Sequence, residues 1–329
     1  MILAGDVGGT KVVLALFEDT ITRKKLKEQK FASKDFSNFG DIVREFLPSG
    51  TDISCASFGI AGPIINNKCH ATNLPWVVDR EKLQKLLKIE TVYLINDLKA
   101  NAWGCFVLRD DEFFVLNKGI EKKDNRVLIS AGTGLGEAGF YFDGKEFYPV
   151  ASEGGHAGFS PSCEEEVEIW RYFKKQYEHV SFERILSGRG IVGLYNFYVE
   201  EKNEPEIESV RKRMLTEDPA KVISEHGIAK SCPTCVKTLK RFSSIYGGEA
   251  ANLALKYLAT GGVYVGGGIA PKILDILKEG EFMEAFVAKG RFASILSDTA
   301  VKIILNPETA LLGAAEYAKV KGSRSYREF

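Results

Sequence analysis

Three glycine-rich turns carry the strongest chemical signal in this chain: GDVGGTK at residues 5–11, AGTGLG at 131–136 and GGGIAP at 266–271. Each stands directly behind an apolar run. Without a Cβ, glycine lets backbone N–H groups approach phosphate oxygens closely. One such turn alone is an ordinary tight turn; three placed alike argue for phosphate binding. Asp6, inside the first turn, sharpens this reading. A carboxylate beside phosphates is repelled unless a cation lies between them, so Asp6 indicates Mg²⁺, held through water. The competing role is a turn-stabilising Asp. No GxxxxGK[ST] occurs, which excludes a P-loop. GLGEAG at 134–139 matches GxGxxG, but an alternating strand, FYFDGKEF, follows where a dinucleotide fold needs a helix. The third turn leads into a helix with Pro271 near its first turn, and the bare backbone of that corner suits a flat adenine ring.

A second group combines carboxylates, an amide and an imidazole. Asn96 and Asp97 follow the run TVYLI and precede the helix-like LKANAWG. They stand at a strand's C-terminal end and a helix N-cap, where a side chain can point into a cleft; a plain capping pair is the alternative. Glu153 and His156 lie in SEGGHAG, a glycine-rich, non-periodic segment, and such loop residues are more often ligands than props. A structural hydrogen-bonding role stays open for His156. Glu183, in SFERIL, fits either a ligand or a capping arrangement beginning at Ser181.

The elements that position these residues follow from periodicity. Residues 2–7 and 12–17 are apolar runs joined by glycines, a hairpin, and 26–32 alternates as a third strand. Helical spacing marks 38–47, 79–87 and 98–108, and strands are expected at 53–60 and 91–95. The pattern then restarts with strand 126–130, the second glycine turn, strand 137–142, an Asp143-Gly144 hairpin turn and strand 145–150. Two copies of one device predict two related lobes, each offering a glycine turn to the cleft between them. The C-terminal half reads as mostly helical, with strands at 262–265 and 301–305 and a last helix at 308–320. The charged stretch 200–219 reads as a surface excursion.

Composition bounds the rest. With 329 residues the chain exceeds one comfortable core, and the lobes are assigned to 1–103 plus 306–329 and to 104–305. The 45% hydrophobic and 27% charged content excludes wholesale disorder and fibrous repeats. Forty-four basic residues balance 44 acidic ones, so no nucleic-acid partner is expected. The opening MILAGDVGGTK lacks a charged leader region, and the most apolar stretch, 250–270, holds Lys256 and five glycines. Neither a signal peptide nor a membrane span is expected, which makes the cytoplasm the default. Six cysteines are too sparse for a disulfide scaffold. Cys55 and Cys105 read as buried hydrophobes. The lone CPTC of Cys232 and Cys235 lacks the second pair zinc requires and reads as a helix start.

GDVGGTK, FGIAGP, TNLPW, INDLKANAWG, AGTGLG, SEGGHAGFS, FERILSGRGIVGLY, GGGIAPKIL and ETALLGAA occur in this order over nearly the whole chain. This set resembles the sugar kinase, heat-shock ATPase and actin superfamily, and within it the bacterial-type glucokinases. The resemblance implies an α/β, two-lobed actin-like ATPase (ribonuclease H-like) fold, each lobe a mixed sheet flanked by helices. It implies that Gly5, Asp6, Gly8, Gly9, Thr10 and Lys11, with Gly132, Thr133 and Gly134, bracket the phosphates of ATP with Mg²⁺ at Asp6. Gly266, Gly267 and Gly268 would lie near the adenosine. By the same resemblance Asn96, Asp97, Glu153, His156 and Glu183 hold glucose, Asn73 lines that pocket, and the chain forms a homodimer. Two departures stand out. Lys11 occupies a position where many of these glucokinases carry Asn, and close behind His156 stands only Cys163, not the three-cysteine zinc motif of the related repressor/open-reading-frame/kinase family. Structural zinc is not expected.

The chemistry implied is transfer of the ATP γ-phosphoryl group to the 6-hydroxyl of glucose, with Asp97 accepting the proton. Carboxylates only accept hydrogen bonds, whereas an amide and a neutral imidazole do both, a suitable complement for a hexose. Lobes that close over the sugar would keep water from consuming ATP. A broader hexose or N-acylhexosamine kinase is the nearest alternative. An ATP or polyphosphate hydrolase would keep the phosphate turns but give SEGGHAG little purpose. A sugar-responsive repressor would need a DNA-binding module ahead of Ile2, and a filament-forming ATPase is the interaction-protein alternative.

Overall fold

Apolar runs of five or six residues closed by glycine are satisfied only as strands covered on both faces. The computed structural model describes residues 1–21, 23–48, 50–70 and 74–322, and its chain divides into two units, Met1–Asp110 with the segment from Asn306, and Asp111–Leu305. The first unit runs past the expected boundary at 103, because Gly104 packs so tightly on Thr309 that a Cβ there would strike the Thr309 carbonyl.

The first unit contains β1 (Ile2–Val7), β2 (Lys11–Phe17), β3 (Lys25–Ala32), β4 (Cys55–Ile60), β5 (Ile64–Ile65), β6 (Lys68–His70), β7 (Val77–Asp79) and β8 (Val92–Asn96). Its main sheet has the order β3-β2-β1-β4-β8. β1 is antiparallel to β2 and parallel to β4, and β4 is parallel to β8. Period-two alternation divides β1 between two cores. Ile2 and Ala4 face Leu311, Leu312, Ala314 and Ala315 of the helix Thr309–Gly322. Leu3 and Val7 face Phe39, Ile42, Val43 and Phe46 of the helix Phe39–Phe46. Asn38 caps that helix by accepting from the Asp41 N–H at 3.1 Å, and Asp79 caps the helix Arg80–Leu87 in the same manner. The small sheet β5-β6-β7 has no counterpart in the periodicity reading; its strands are too short to show a period.

The second unit contains β9 (Phe113–Asn117), β10 (Arg126–Ala131), β11 (Leu135–Phe142), β12 (Phe147–Ser152), β13 (Gly262–Gly266) and β14 (Val301–Ile304), in the order β12-β11-β10-β13-β14-β9. Its first five strands repeat the order and sense of the first sheet: antiparallel β12, β11 and β10, then parallel β13 and β14. The expected duplication is therefore present in the topology. β9, an antiparallel edge strand on β14, is an addition the periodicity reading lacks. The 25-residue helix Pro233–Tyr257 covers one face with Leu239, Phe242, Tyr246, Ala250 and Leu253 buried. Cys232 is its N-cap, Pro233 opens its first turn, and both Cys232 and Cys235 are fully buried. CPTC is thus a helix start, and among the described residues no cluster of His, Cys, Asp or Glu could hold a metal ion.

Two expectations need correction. The stretch 200–219 contains the helix Glu208–Met214, whose Val210 is fully buried in the second unit's core, and it ends at the helix Pro219–Ile228. Few inward apolar positions (Ile207, Val210 and Met214) among paired charges, such as Arg213 with Glu217 and Glu225, leave the average hydropathy of a loop. Nor does the third glycine turn open a helix at Pro271. Residues 267–273 form successive turns, and the short helix begins at Leu274. The Ile269 N–H bonds back to the Ala131 carbonyl at 3.2 Å, which holds the chain to the sheet before it can coil.

Candidate functional site

In the first unit, parallel β1, β4 and β8 end in register: Val7 pairs with Ile60, and Ile60 with Asn96. The Gly8–Thr10 turn and Asp97 therefore leave the sheet at the same edge, two strand spacings or about 10 Å apart. This is the carboxyl end of parallel strands, where open α/β sheets bind ligands. The turn is braced through its carbonyls. Gly8 N–H donates to Lys11 O at 3.0 Å, Ser33 Oγ donates to Gly8 O at 2.9 Å, and Ser33 N–H donates to Thr10 O at 3.0 Å. The N–H groups of Gly9 and Thr10 have no acceptor among the described residues. Burial pushes the Asp6 carboxyl above its ordinary pKa, and the Lys11 charge partly opposes this. Gly5 is required by packing: a Cβ would meet Phe58 Cδ1 at 2.7 Å.

Asn96 is a cap, as one of the two sequence readings has it. Its Oδ1 accepts from the Leu98 N–H at 2.8 Å, and its Nδ2 donates to Gly62 O at 3.3 Å. Asp97 opens the helix Asp97–Gly104, half-buried, with Oδ1 accepting from the Leu98 N–H at 3.0 Å. Asn73 lies outside the described residues.

In the second unit the turn after β10 repeats this design. Gly132 N–H donates to Gly134 O at 2.8 Å, and the Thr133 and Gly134 N–H groups have no acceptor among the described residues. Gly188 N–H donates to Gly132 O at 2.9 Å, fixing the start of the helix Gly188–Glu200 beside the turn. Glu183 does not cap its own helix; its Oε2 accepts from the Leu135 N–H at 3.0 Å. Ser181, at the N-cap, makes no side-chain cap bond. Glu153 precedes and His156 ends a single 3₁₀ turn, both exposed, with His156 Nε2 and Glu153 Oε2 4.0 Å apart. Gly155 packs directly on the Leu135 carbonyl, and Phe182 N–H donates to Ala157 O at 3.0 Å. Leu135 thus brings Glu183, the SEGGHAG segment and the second glycine turn together.

The third turn joins the same construction. Gly267 has φ +83°, and a Cβ there would overlap the Ala131 carbonyl. The Tyr246 hydroxyl accepts from the Ala131 N–H at 3.1 Å and lies 3.3 Å from the carbonyls of Ile129 and Gly266, tying β10 and β13 to one helix. A cavity of about 950 Å³ opens beside these turns. Gly132, Thr133, Gly188 and Gly268 line it, with Val192, Ile228, Ile269 and Ile273 as apolar walls and Arg189, Ser224 and Lys272 as polar ones. Asp218, Pro219 and Ala220, at the start of the helix that follows the stretch 200–219, complete it. Sequence reasoning missed these wall residues. The local signal that was available is Asp218-Pro219, a cap followed by proline.

A family model described as Glucokinase matches residues 3–321. A glucokinase of Trichormus variabilis is 38% identical over 336 aligned residues, covering 96% of this chain and 98% of that protein. Among solved structures, a glucokinase from an Antarctic psychrotroph superposes with a TM-score of 0.83 at 26% identity, over 97% of this chain and 98% of that one. A ROK-family glucokinase from Streptomyces griseus, in complex with glucose and AMPPNP, reaches 0.66 at 20% identity over 97% and 99%, a likeness of fold.

Proposed function

Because the chain belongs to the glucokinase family, we propose that it transfers the γ-phosphoryl group of ATP to the 6-hydroxyl of glucose. The observation that carries this reading is the use of Leu135 from both sides. Its strand begins at a turn whose N–H groups have no acceptor among the described residues, its own N–H donates to Glu183, and its carbonyl packs against Gly155 in the segment of Glu153 and His156. Within the second unit, the turn of Thr133 and Gly134 and the segments bearing Glu153, His156 and Glu183 thereby meet around one residue. The cavity beside Gly132 and Gly268 takes the adenosine, its apolar walls suiting a base and its N–H-lined end the phosphates.

In this reading Asp97, placed at the end of β8, accepts the proton of the 6-hydroxyl as that oxygen attacks. The N–H groups of Gly9, Thr10, Thr133 and Gly134 stabilise charge on the phosphates without reorganising. Glu153, His156 and Glu183 orient the sugar hydroxyls. Asn96 positions Asp97 by capping its helix. Asp6 fits a divalent cation held through water: it is a carboxylate destabilised by burial, and Lys11 offsets that only in part. Bound Mg²⁺ supplies neutralisation of the phosphate oxygens. The cytoplasm, a place in glycolysis and a homodimeric state belong to the same proposal; among the described residues no helix is long and apolar enough to cross a membrane.

A coupled assay of hexose 6-phosphate formation tests the proposal across glucose, mannose, fructose and N-acylhexosamines, with ATP, ADP and polyphosphate as donors. Turnover is expected with ATP and glucose; polyphosphate cleavage without sugar would overturn it. The cavity assignment has its own test. Ala220→Trp places an indole in the cavity and is expected to raise the ATP KM about tenfold, equivalent to about 1.4 kcal/mol, with glucose KM unchanged.

A further inference from the structure

Two carboxyl groups beneath the SEGGHAG segment take no part in the chemistry above. Glu137 on β11 is 1% exposed and Glu249 on the helix Pro233–Tyr257 is fully buried. Glu249 is well held. Asn252 Nδ2 donates to its Oε2 at 2.7 Å, Lys256 Nζ lies 3.4 Å from its Oε1, and Lys289 Nζ donates to Asn252 Oδ1 at 2.7 Å. Among the described residues Glu137 has no such donors: both its oxygens are buried without a partner that can give a proton. An ionised carboxylate only accepts, so this arrangement is costly for a charged Glu137. The cost falls once Glu137 is neutral and donates its proton to Glu249, its hydrogen-bonding neighbour.

We propose that Glu137 and Glu249 share one proton, and that the protonated pair is a positioning element that sets the segment bearing Glu153 and His156 and hence the affinity for the sugar. This rests on the reading of those two residues as sugar-binding. The link is direct. Glu137 pairs with Ser152 across β11 and β12, and its Oε2 lies so close to Gly154 that a Cβ there would overlap it. Gly154 in turn donates its N–H to Ser152 Oγ at 2.8 Å. Burial first, then the Glu249 charge, pushes the Glu137 carboxyl up to about 8, with Lys256 opposing. Burial also raises Glu249, but Asn252 and Lys256 counter it there, so the proton resides on Glu137. The other groups facing the pair are the Tyr246 phenol, raised by burial, and Lys289, lowered by burial. Loss of the proton would leave two negative charges in a dry interior. The neighbour free to yield is the half-exposed segment 152–156, since the helix on the other side is packed into the core.

The sign of the pH effect follows. An unfolded glutamate loses its proton near its ordinary value of 4.5. Between that pH and about 8 the folded chain retains a proton the unfolded chain has released, so stability falls as pH rises across this window. If only the protonated pair holds the segment for sugar, glucose KM should rise about tenfold between pH 7 and pH 9, with kcat much less affected. Glucose KM, kcat and sugar-free Tm measured against pH test this in the wild type, Glu137→Gln and Glu249→Gln. Glu137→Gln, whose amide N–H replaces the shared proton, is expected to lose both the KM rise and its share of the Tm slope. Glu249→Gln removes the like charge and is expected to move the KM rise to lower pH. A flat wild-type KM, a Glu137→Gln enzyme that keeps the rise, or an unmoved rise in Glu249→Gln overturns the proposal. Glu153→Gln at neutral pH separates the two readings: an unchanged KM there sinks the sugar assignment, whereas an unaltered Tm slope in Glu137→Gln sinks the shared proton.

Discussion

Replacing Asp97 by asparagine is expected to lower kcat by about 10²–10⁴-fold, the usual contribution of a general base, while glucose KM changes modestly. The substitution is nearly isosteric. Asparagine keeps an Oδ1 for the Leu98 N–H, which Asp97 accepts at 3.0 Å, and Asn96 still caps the helix through the same N–H at 2.8 Å. The helix Asp97–Gly104 and its packing on the helix Thr309–Gly322 should therefore survive, so lost activity reports on proton transfer and not on unfolding. Steady-state kinetics with a Tm control decides the matter. Turnover close to wild type in a folded Asp97→Asn protein would remove Asp97 from the base role and leave it a helix-start residue.

Gly267→Ala is expected to damage both stability and nucleotide affinity. At φ +83° an alanine carries strain of about 1–3 kcal/mol, and its Cβ would also overlap the Ala131 carbonyl. That carbonyl accepts from the Ile269 N–H at 3.2 Å and adjoins the Gly132–Gly134 turn. Relief must therefore displace the second and third glycine turns together. For a unit of this size each kcal/mol lowers Tm by about 2–4 °C, and the ATP KM should rise by about tenfold or more as the turn N–H groups lose alignment. Thermal melts and ATP titrations at saturating glucose measure the two effects. A variant with wild-type Tm and ATP KM would show that the corner tolerates a side chain and is not what aligns the two turns.

These expectations rest unevenly on sequence and structure. The three glycine turns, the capping pair Asn96-Asp97 and the doubled strand-turn-strand device are local in the chain, and each was legible from residue type and spacing. Glu183 was ambiguous for a physical reason: its partner, the Leu135 N–H, lies 48 residues away, and nothing in SFERIL specifies a contact at that separation. Glu137 was hidden by its setting. Within GLGEAGF no local pattern marks Glu137 as buried, whereas both faces of β11 are covered at that point. The stretch 200–219 was misread because its three inward apolar positions, Ile207, Val210 and Met214, are sparse and outnumbered by charges, so their helical spacing is easily passed over.

Short-range sterics and hydropathy are written into the residues themselves, and they marked most strands of the two larger sheets, the glycine turns whose backbone N–H groups are bare, and the side chains at strand ends; the short strands β5 to β7 and the edge strand β9 carried no such mark. How those pieces are joined emerged from the folded chain alone. Leu135 as the shared anchor, the corner of Gly267 against Ala131, the cavity wall from residues 218–228 and the buried pair of Glu137 with Glu249 all depend on contacts between distant segments. Such contacts arise from burial summed over a whole core, and a window of neighbouring residues carries no record of that sum.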